Sequence, residues 1–326
     1  MRPQISFILL LFLIVQFSAQ AQIKPDTTLF QKFYKSGDNK EIYVPLGRIA
    51  FADSVVEFKR GNPAAREPFD DEKNGLGEPD FTTYITKEPK YVSIGCGGQY
   101  TVKFKKVGFI DIEGPDLVFF EVGPTIEPFK VEISTDGKKW LQMGAQVDGG
   151  QATLDIGRFV RQTDPPTIYH YIRLTDLKRS CGGPTPGADI DAIGAIGAVI
   201  KLSLDAKVLF DYDQFSIRDQ AKEALDELIG YLKEIPKAEI QIHGHTDADG
   251  SHEYNLALGQ NRAESVRNYI QSNLLVQGDF IFTLKSFGKT KPVKDNKTSE
   301  GMQQNRRVEI IVFPDKDFYK PPSAKK

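Results

Sequence analysis

The chain has 326 residues, 40% of them hydrophobic and 26% charged, with a formal net charge of −2. That apolar fraction supplies packed cores and excludes wholesale disorder, and the length exceeds what one core normally serves, so two domains are expected. A balance of 42 basic against 44 acidic side chains gives no electrostatic footprint for nucleic acid, and the 2 cysteines cannot build a disulfide-dense miniprotein or a multi-cysteine zinc fold.

The one strongly apolar stretch runs from Ile5 to Phe17, short of the about 20 residues a membrane-crossing helix needs. Arg2 precedes it, and Ala19-Gln20-Ala21 supplies a small-x-small pattern before a cut at Gln22. That is the anatomy of a secretory signal peptide over residues 1–21, with an uncleaved anchor as the competing reading. No cysteine follows the cut, so no lipid anchor is expected, and the product is expected to be exported to the periplasm. Residues 22–44 are polar with isolated aromatics and read as a linker or docking arm.

Residues 45–204 carry the text of a β domain. Short alternating or β-rich runs recur at Ala52-Phe58, Tyr100-Phe104, Leu117-Val122, Lys130-Ser134, Trp140-Met143, Ile168-Leu174 and Ala195-Leu202. Turn signals such as Glu113-Gly114-Pro115-Asp116 and Thr135-Asp136-Gly137 separate them. Many short strands with Gly/Pro/Asp punctuation predict an all-β jelly-roll sandwich. Cys96 and Cys181 sit in matching Cys-Gly-Gly contexts. In an oxidising compartment a bridge between them is favoured over two buried thiols, and it would contribute about 4–5 kcal/mol in the chain-entropy model if unstrained.

From about residue 205 the grammar changes. A strand is expected at Lys207-Val208-Leu209-Phe210, then a helix capped by Ser216 whose apolar stripe runs from Ile217 to Ile235 and stops at Pro236. A strand at Ala238-Ile242, a Gly/Asp loop and a helix from His252 to Asn273 follow. Strands around Phe282-Phe287 and Val308-Phe313, with a short helix near Thr298-Gln304, complete an α+β domain over 205–315, its helices packed on a small mixed sheet. Residues 316–326, rich in Lys and Pro, read as a disordered tail.

The second helix holds an anomaly. Arg262 lies four residues from both Leu258 and Val266, inside an apolar seam that also takes in Ala263, Tyr269 and Ile270. A half-buried guanidinium needs a carboxylate, either from an acid of the same domain or from a ligand. Asp247 stands on the loop that enters the same helix, where free N–H groups also favour anions. The two could hold an amino-acid zwitterion, ammonium on Asp247 and carboxylate on Arg262.

His243-Gly244-His245-Thr246-Asp247, Gly250, Tyr254-Asn255-Leu256-Ala257-Leu258, Arg262-Ala263 and Val266 together resemble the signature of OmpA-like peptidoglycan-binding domains. The flanks agree: Phe210-Asp211-Tyr212-Asp213, Ser286-Phe287-Gly288, Asp295 to Gly301, and Asn305-Arg306-Arg307-Val308-Glu309-Ile310. The resemblance covers about 205–315 and implies a non-covalent grip on the cell wall. In it the aspartate at 247 and the arginine at 262 hold the diaminopimelate of the peptidoglycan stem peptide, with Thr246, Asn255 and Arg306 near the ligand. Gly259 departs from the family, which usually has serine there, at some cost in helix propensity.

His243, His245, Asp247, Asp249 and His252 would attract a metal reader, but the resemblance accounts for them without metal, and none is expected. The chain has no Gly-x-Ser-x-Gly elbow and no phosphate-cradling loop, and acidic pairs such as Asp189 and Asp191 are common on loops, so no enzyme is expected. In the β domain, Phe51 to Val56, Gly114 to Gly123, Ser134 to Trp140 and Gly187 to Gly194 resemble discoidin-type, galactose-binding-like jelly rolls. Such domains bind carbohydrate, protein or structural calcium. Loops near Asp53, Asp116 and Asp191 would suit calcium, against the plain reading of solvated turn carboxylates. Strands in numbers that could form a membrane barrel are lacking. The expectation is a non-catalytic periplasmic protein that grips peptidoglycan and, through its β domain, an outer-membrane or envelope protein complex. The rival is a carbohydrate-binding or wall-modifying protein with the jelly roll as its sugar site.

Overall fold

The computed structural model describes residues 32–35, 41–82, 88–123, 127–147, 151–210, 214–275 and 278–322. The expected signal peptide lies outside them. Of the expected arm at 22–44, the described part forms two paired strands, β1 (Phe33–Lys35) and β2 (Glu41–Tyr43). Tyr34 between them is buried, edge-on to Phe51, and its hydroxyl donates to Glu78 Oε1 at 2.7 Å.

Ten further strands make the β-rich N-terminal region: β3 (Ser54–Lys59), β4 (Val92–Ser93), β5 (Gln99–Lys103), β6 (Val107–Phe109), β7 (Leu117–Glu121), β8 (Phe129–Ser134), β9 (Leu141–Val147), β10 (Gln151–Leu154), β11 (Tyr171–Asp176) and β12 (Asp189–Ala195). They form a four-stranded sheet, β10-β7-β12-β4, and a five-stranded sheet, β3-β5-β11-β8-β9, both antiparallel throughout. Only β6 is absent from both. Phe119 of β7 meets Phe129 of β8 edge-on at 5.5 Å, joining the two sheets in one core with Tyr100, Val102, Ile133, Ile172 and Ile190. Cys96 and Cys181 are disulfide-bonded with their Cα atoms 5.1 Å apart, as expected.

The C-terminal α/β domain follows: β13 (Ala198–Asp205), α1 (Ala206–Leu209), α2 (Asp219–Leu232), β14 (Lys237–His245), α3 (His252–Asn273), β15 (Asp279–Gly288), α4 (Ser299–Asn305) and β16 (Arg307–Pro314). Its sheet runs β15-β14-β16-β13-β6, with β14 and β15 parallel and the other pairs antiparallel. Alternation along β14 buries Ala238, Ile240, Ile242 and Gly244, while Glu239, Gln241 and His243 take the opposite face. The helices supply Leu225, Leu228, Ile229 and Leu232 of α2 and Ala263, Val266 and Ile270 of α3 to the core.

Several expectations need correction. The run 207–210 is not a strand: Asp205 accepts the Lys207 N–H at 2.7 Å and starts one helical turn instead. The strand expected at 195–202, read as the end of the β domain, is β13, and it pairs with β16 from Ile200↔Val312 to Asp205↔Arg307. Ser216 does not cap α2, which begins at Asp219 after Arg218 without a side-chain cap bond. The expected disordered tail starts with a 3₁₀ turn, Lys316–Tyr319, in which Phe318 and Tyr319 are buried and the Tyr319 hydroxyl donates to the Ala198 carbonyl at 3.1 Å. Two aromatics among lysines and prolines were enough apolar surface to anchor it.

Candidate functional site

The loop that carries Thr246 and Asp247 hangs between a strand end and a helix start. β14 delivers Thr246, whose N–H donates to the Gly288 carbonyl at 3.0 Å and whose hydroxyl donates to the Asp247 carbonyl at 3.0 Å. Gly250 turns the chain at φ +85°, a conformation that favours glycine. Ser251 then caps α3 by accepting the Tyr254 N–H at 3.0 Å, with Glu253 in the first turn. Asn255 is 1% exposed, and its amide donates to the carbonyls of Asp249 at 2.6 Å and Ser251 at 3.0 Å. Thr246 and Asn255 therefore hold the shape of the loop from inside.

The helix can come this close because two glycines face each other. A Cβ on Gly244 would lie 2.0 Å from the Gly259 carbonyl oxygen, and one on Gly259 would lie 2.3 Å from Ser286 Oγ and 3.1 Å from the Gly244 oxygen. Gly259, which looked from sequence like a mere loss of helix propensity, sits at this point of near contact between α3 and the sheet.

All five expected residues line one cavity of about 240 Å³: Thr246, Asp247, Asn255, Arg262 and Arg306, together with Asp249, Gly250, Tyr254 and Leu258. Arg262 is 4% exposed; its Nε donates to the Gln214 carbonyl at 3.3 Å and its guanidinium lies over the Phe210 ring at 5.3 Å. Asp247 accepts the Asp249 N–H on Oδ1 at 3.0 Å and Arg306 Nη1 on Oδ2 at 2.5 Å. Arg306 is held on its other side by Gln303 Oε1 at 2.6 Å. The cavity thus combines carboxylate acceptors for an ammonium with two guanidinium groups for a carboxylate, the complement of a zwitterion.

The pairing of Asp247 with Arg306 was missed from sequence, as was the part played by Gln303. Asn305 was missed too: fully buried, it accepts the N–H groups of Val293 and Lys294 at 2.8 and 3.0 Å and donates to the Lys294 carbonyl and Asn296. It fixes the loop before α4 and so the position of Arg306. An asparagine directly before the paired arginines was the available signal.

The loops weighed for calcium do not converge. Asp53 accepts the Lys105 N–H at 3.1 Å, and Asp191 accepts those of Asp80 and Phe81 at 3.2 and 3.3 Å. Asp116 accepts the Ile112 and Ile156 N–H groups, each at 2.7 Å, and lies in a group with Asp111 and Asp155 that includes neither of the other two. Burial raises Asp116 and Asp191 to about 7. Among the described residues no helix is long and apolar enough to cross a membrane.

The OmpA family profile matches residues 209–306. The peptidoglycan-associated lipoprotein of Rhizobium meliloti is 37% identical over 136 residues, covering 42% of this chain and 72% of the relative. Outer membrane porin F of Pseudomonas aeruginosa is 32% identical over 141 residues, covering 43% of this chain but only 39% of the porin, and the chain spans 53% of the probable lipoprotein YiaD of Escherichia coli at 35% identity. Among solved structures, the peptidoglycan-associated lipoprotein from Burkholderia pseudomallei is 44% identical, covering 32% of this chain and 87% of that one with a TM-score of 0.30. By its match to the family profile and to relatives most of whose length it covers, the chain belongs to the OmpA family.

Proposed function

We propose that this protein is a non-catalytic envelope protein that binds peptidoglycan through the diaminopimelate of the stem peptide. One observation carries the reading: Asp247 and Arg262, from a loop and from the helix it enters, line a single cavity with Arg306, Asn255 and Thr246. Asp247 receives the ammonium of the ligand's free amino-acid end, Arg262 its carboxylate, and Arg306 supplies a second cation at the rim. The relatives named as peptidoglycan-associated lipoproteins support the ligand class. The expected test is retention on purified sacculi, retained by the wild type and lost in Asp247→Ala and in Arg262→Ala. Undiminished binding by both variants would sink the assignment.

The remaining assignments rest on the same reading. Residues 1–21 direct export to the periplasm, where the protein lies between cell wall and outer membrane. The β-rich N-terminal region is a discoidin-like jelly roll and the C-terminal domain binds the wall, and the former engages an outer-membrane or envelope protein complex, so that the protein tethers that complex to the wall. Co-purification of membrane proteins with the full chain from solubilised envelopes tests this role, and binding of the β-rich region to a glycan array instead would favour the carbohydrate-binding rival.

A further inference from the structure

Behind the loop that carries Thr246 and Asp247, on the sheet face away from the helices, His243 and His245 project from β14 and Glu309 from β16. Glu309 is the direct cross-strand partner of His243, and His245 lies one pleat further along the same face. One ligand-type atom from each of the three lies within 4.8 Å of the others, with His245 Nε2 4.0 Å from Glu309 Oε1. His245 is 3% exposed, yet neither of its ring nitrogens has a hydrogen-bond partner among the described residues. A buried imidazole with two idle nitrogens is rare and calls for a ligand or an ion.

We propose that His243, His245 and Glu309 form a binding site for a divalent transition-metal ion of the zinc class. Two imidazoles and a carboxylate are a borderline donor set that suits zinc better than calcium or magnesium. Donor atoms on one tetrahedral zinc, at about 2.0–2.1 Å from it, stand roughly 3.3 Å apart, so the observed separations close with small side-chain rotations. The rings are already oriented: His245 stacks on Phe287 at 5.2 Å and 15°, and His243 meets the same ring edge-on at 5.2 Å. Arg307, directly across from His245, donates from Nε to Glu309 Oε1 at 2.6 Å and orients the carboxylate. Lys201 Nζ lies 4.0 Å from Oε2. These two cations compete for Glu309, so the ion binds reversibly to the folded chain and is not required for folding. Three protein ligands leave the fourth position to water. Both cysteines are in the disulfide, so no thiol offers a rival site.

The sequence shows the two histidines but not the third ligand, because Glu309 lies 64 residues beyond His245 and is brought beside it only by the pairing of β14 with β16.

The test uses the exported chain, stripped with a chelator, in the absence of sacculi, so that its outcome is independent of wall binding. Titration with Co²⁺ is expected to give one equivalent of bound metal with a visible ligand-field band, displaced by Zn²⁺, and Zn²⁺ is expected to raise the melting temperature. His243→Ala, at a half-buried position, and Glu309→Gln are expected to lose the band and the thermal shift. His252→Ala, at the exposed start of α3, is expected to keep both. Circular dichroism of each variant establishes that it is folded. Absence of saturable Co²⁺ binding by the wild type overturns the site, and so does an unchanged band in a folded His243→Ala chain.

Discussion

At the scale of single residues, the site depends on partners that are far apart in sequence. That Asp247 and Arg262 line one cavity was legible because they lie on one loop–helix unit and because a guanidinium in an apolar seam needs a polar partner. The bond from Arg306 to Asp247 was not legible, since it spans 59 residues and exists because β16 runs beside β14. That bond is partly exposed, so Arg306→Gln should cost stability about 1 kcal/mol or less. It should nevertheless reduce retention on sacculi, because it removes a rim cation and the group that orients Asp247. A pull-down alongside a urea melt separates the two effects, and a large loss of stability with intact retention would reverse the assignment. Gly244 calls for the opposite outcome. A Cβ there meets a backbone oxygen that cannot move without the whole of α3, so Gly244→Ala should destabilise by about 3 kcal/mol, near the upper end of overpacking costs. Equilibrium urea unfolding measures it, and a cost below about 0.5 kcal/mol, the scale of an ordinary surface change, would show that the helix is not held there.

At the scale of elements, α3 was placed residue for residue, and β14, β15 and β16 to within a few positions, because their patterns are long. The errors fell on short elements and on strands whose ends resemble turns. A four-residue apolar run such as 207–210 fits one helical turn as well as a strand, and the cap on Asp205 decides it. β12 went unread because Asp189 and Asp191 look like turn carboxylates, whereas both are buried in a strand whose seven residues are all buried. β6 was missed for its length, yet it has the largest architectural consequence. Three residues of the β-rich region form the edge of the C-terminal sheet, paired to β13 from Ala198↔Phe109 to Ile200↔Val107, and Lys106 Nζ bonds Glu227 of α2 at 2.6 Å beside them. A side chain on Gly108 would collide with Ile168 Cγ2 at 2.2 Å and the Tyr169 carbonyl oxygen at 2.9 Å. Gly108→Val is therefore expected to detach β6 and split a single calorimetric transition into two. One unchanged transition would mean that β6 does not couple the two parts.

At the scale of the whole molecule, the near-zero net charge hides an uneven placement of acids. Burial raises Asp189 to about 8, with Glu127 and Glu121 adding to the effect, and burial likewise raises Glu127, Asp116 and Asp191 to about 7. All four belong to the β-rich region. In the unfolded chain such groups ionise near pH 4, so between about pH 4 and pH 8 the folded state holds more protons. Stability from these groups is fully present below their unfolded values and is lost as pH rises through their folded ones. Glu309 works the other way: although burial opposes it, Arg307 and Lys201 hold its carboxyl below the usual range, and its contribution is lost only as pH falls below that range. Burial lowers His170 and His245 to about 4 and lowers His243 as well. These oppose the acids up to about pH 6.5, where an unfolded histidine loses its proton. The acids are more numerous and act alone above that, so the melting temperature should fall as pH rises, most steeply between about pH 6.5 and 8. Asp189→Asn with Asp191→Asn should flatten that slope, since an amide stays neutral throughout. Calorimetry at four or five pH values tests it. A melting temperature that instead rises toward pH 8 would mean that these carboxyls are ionised and compensated in the folded protein.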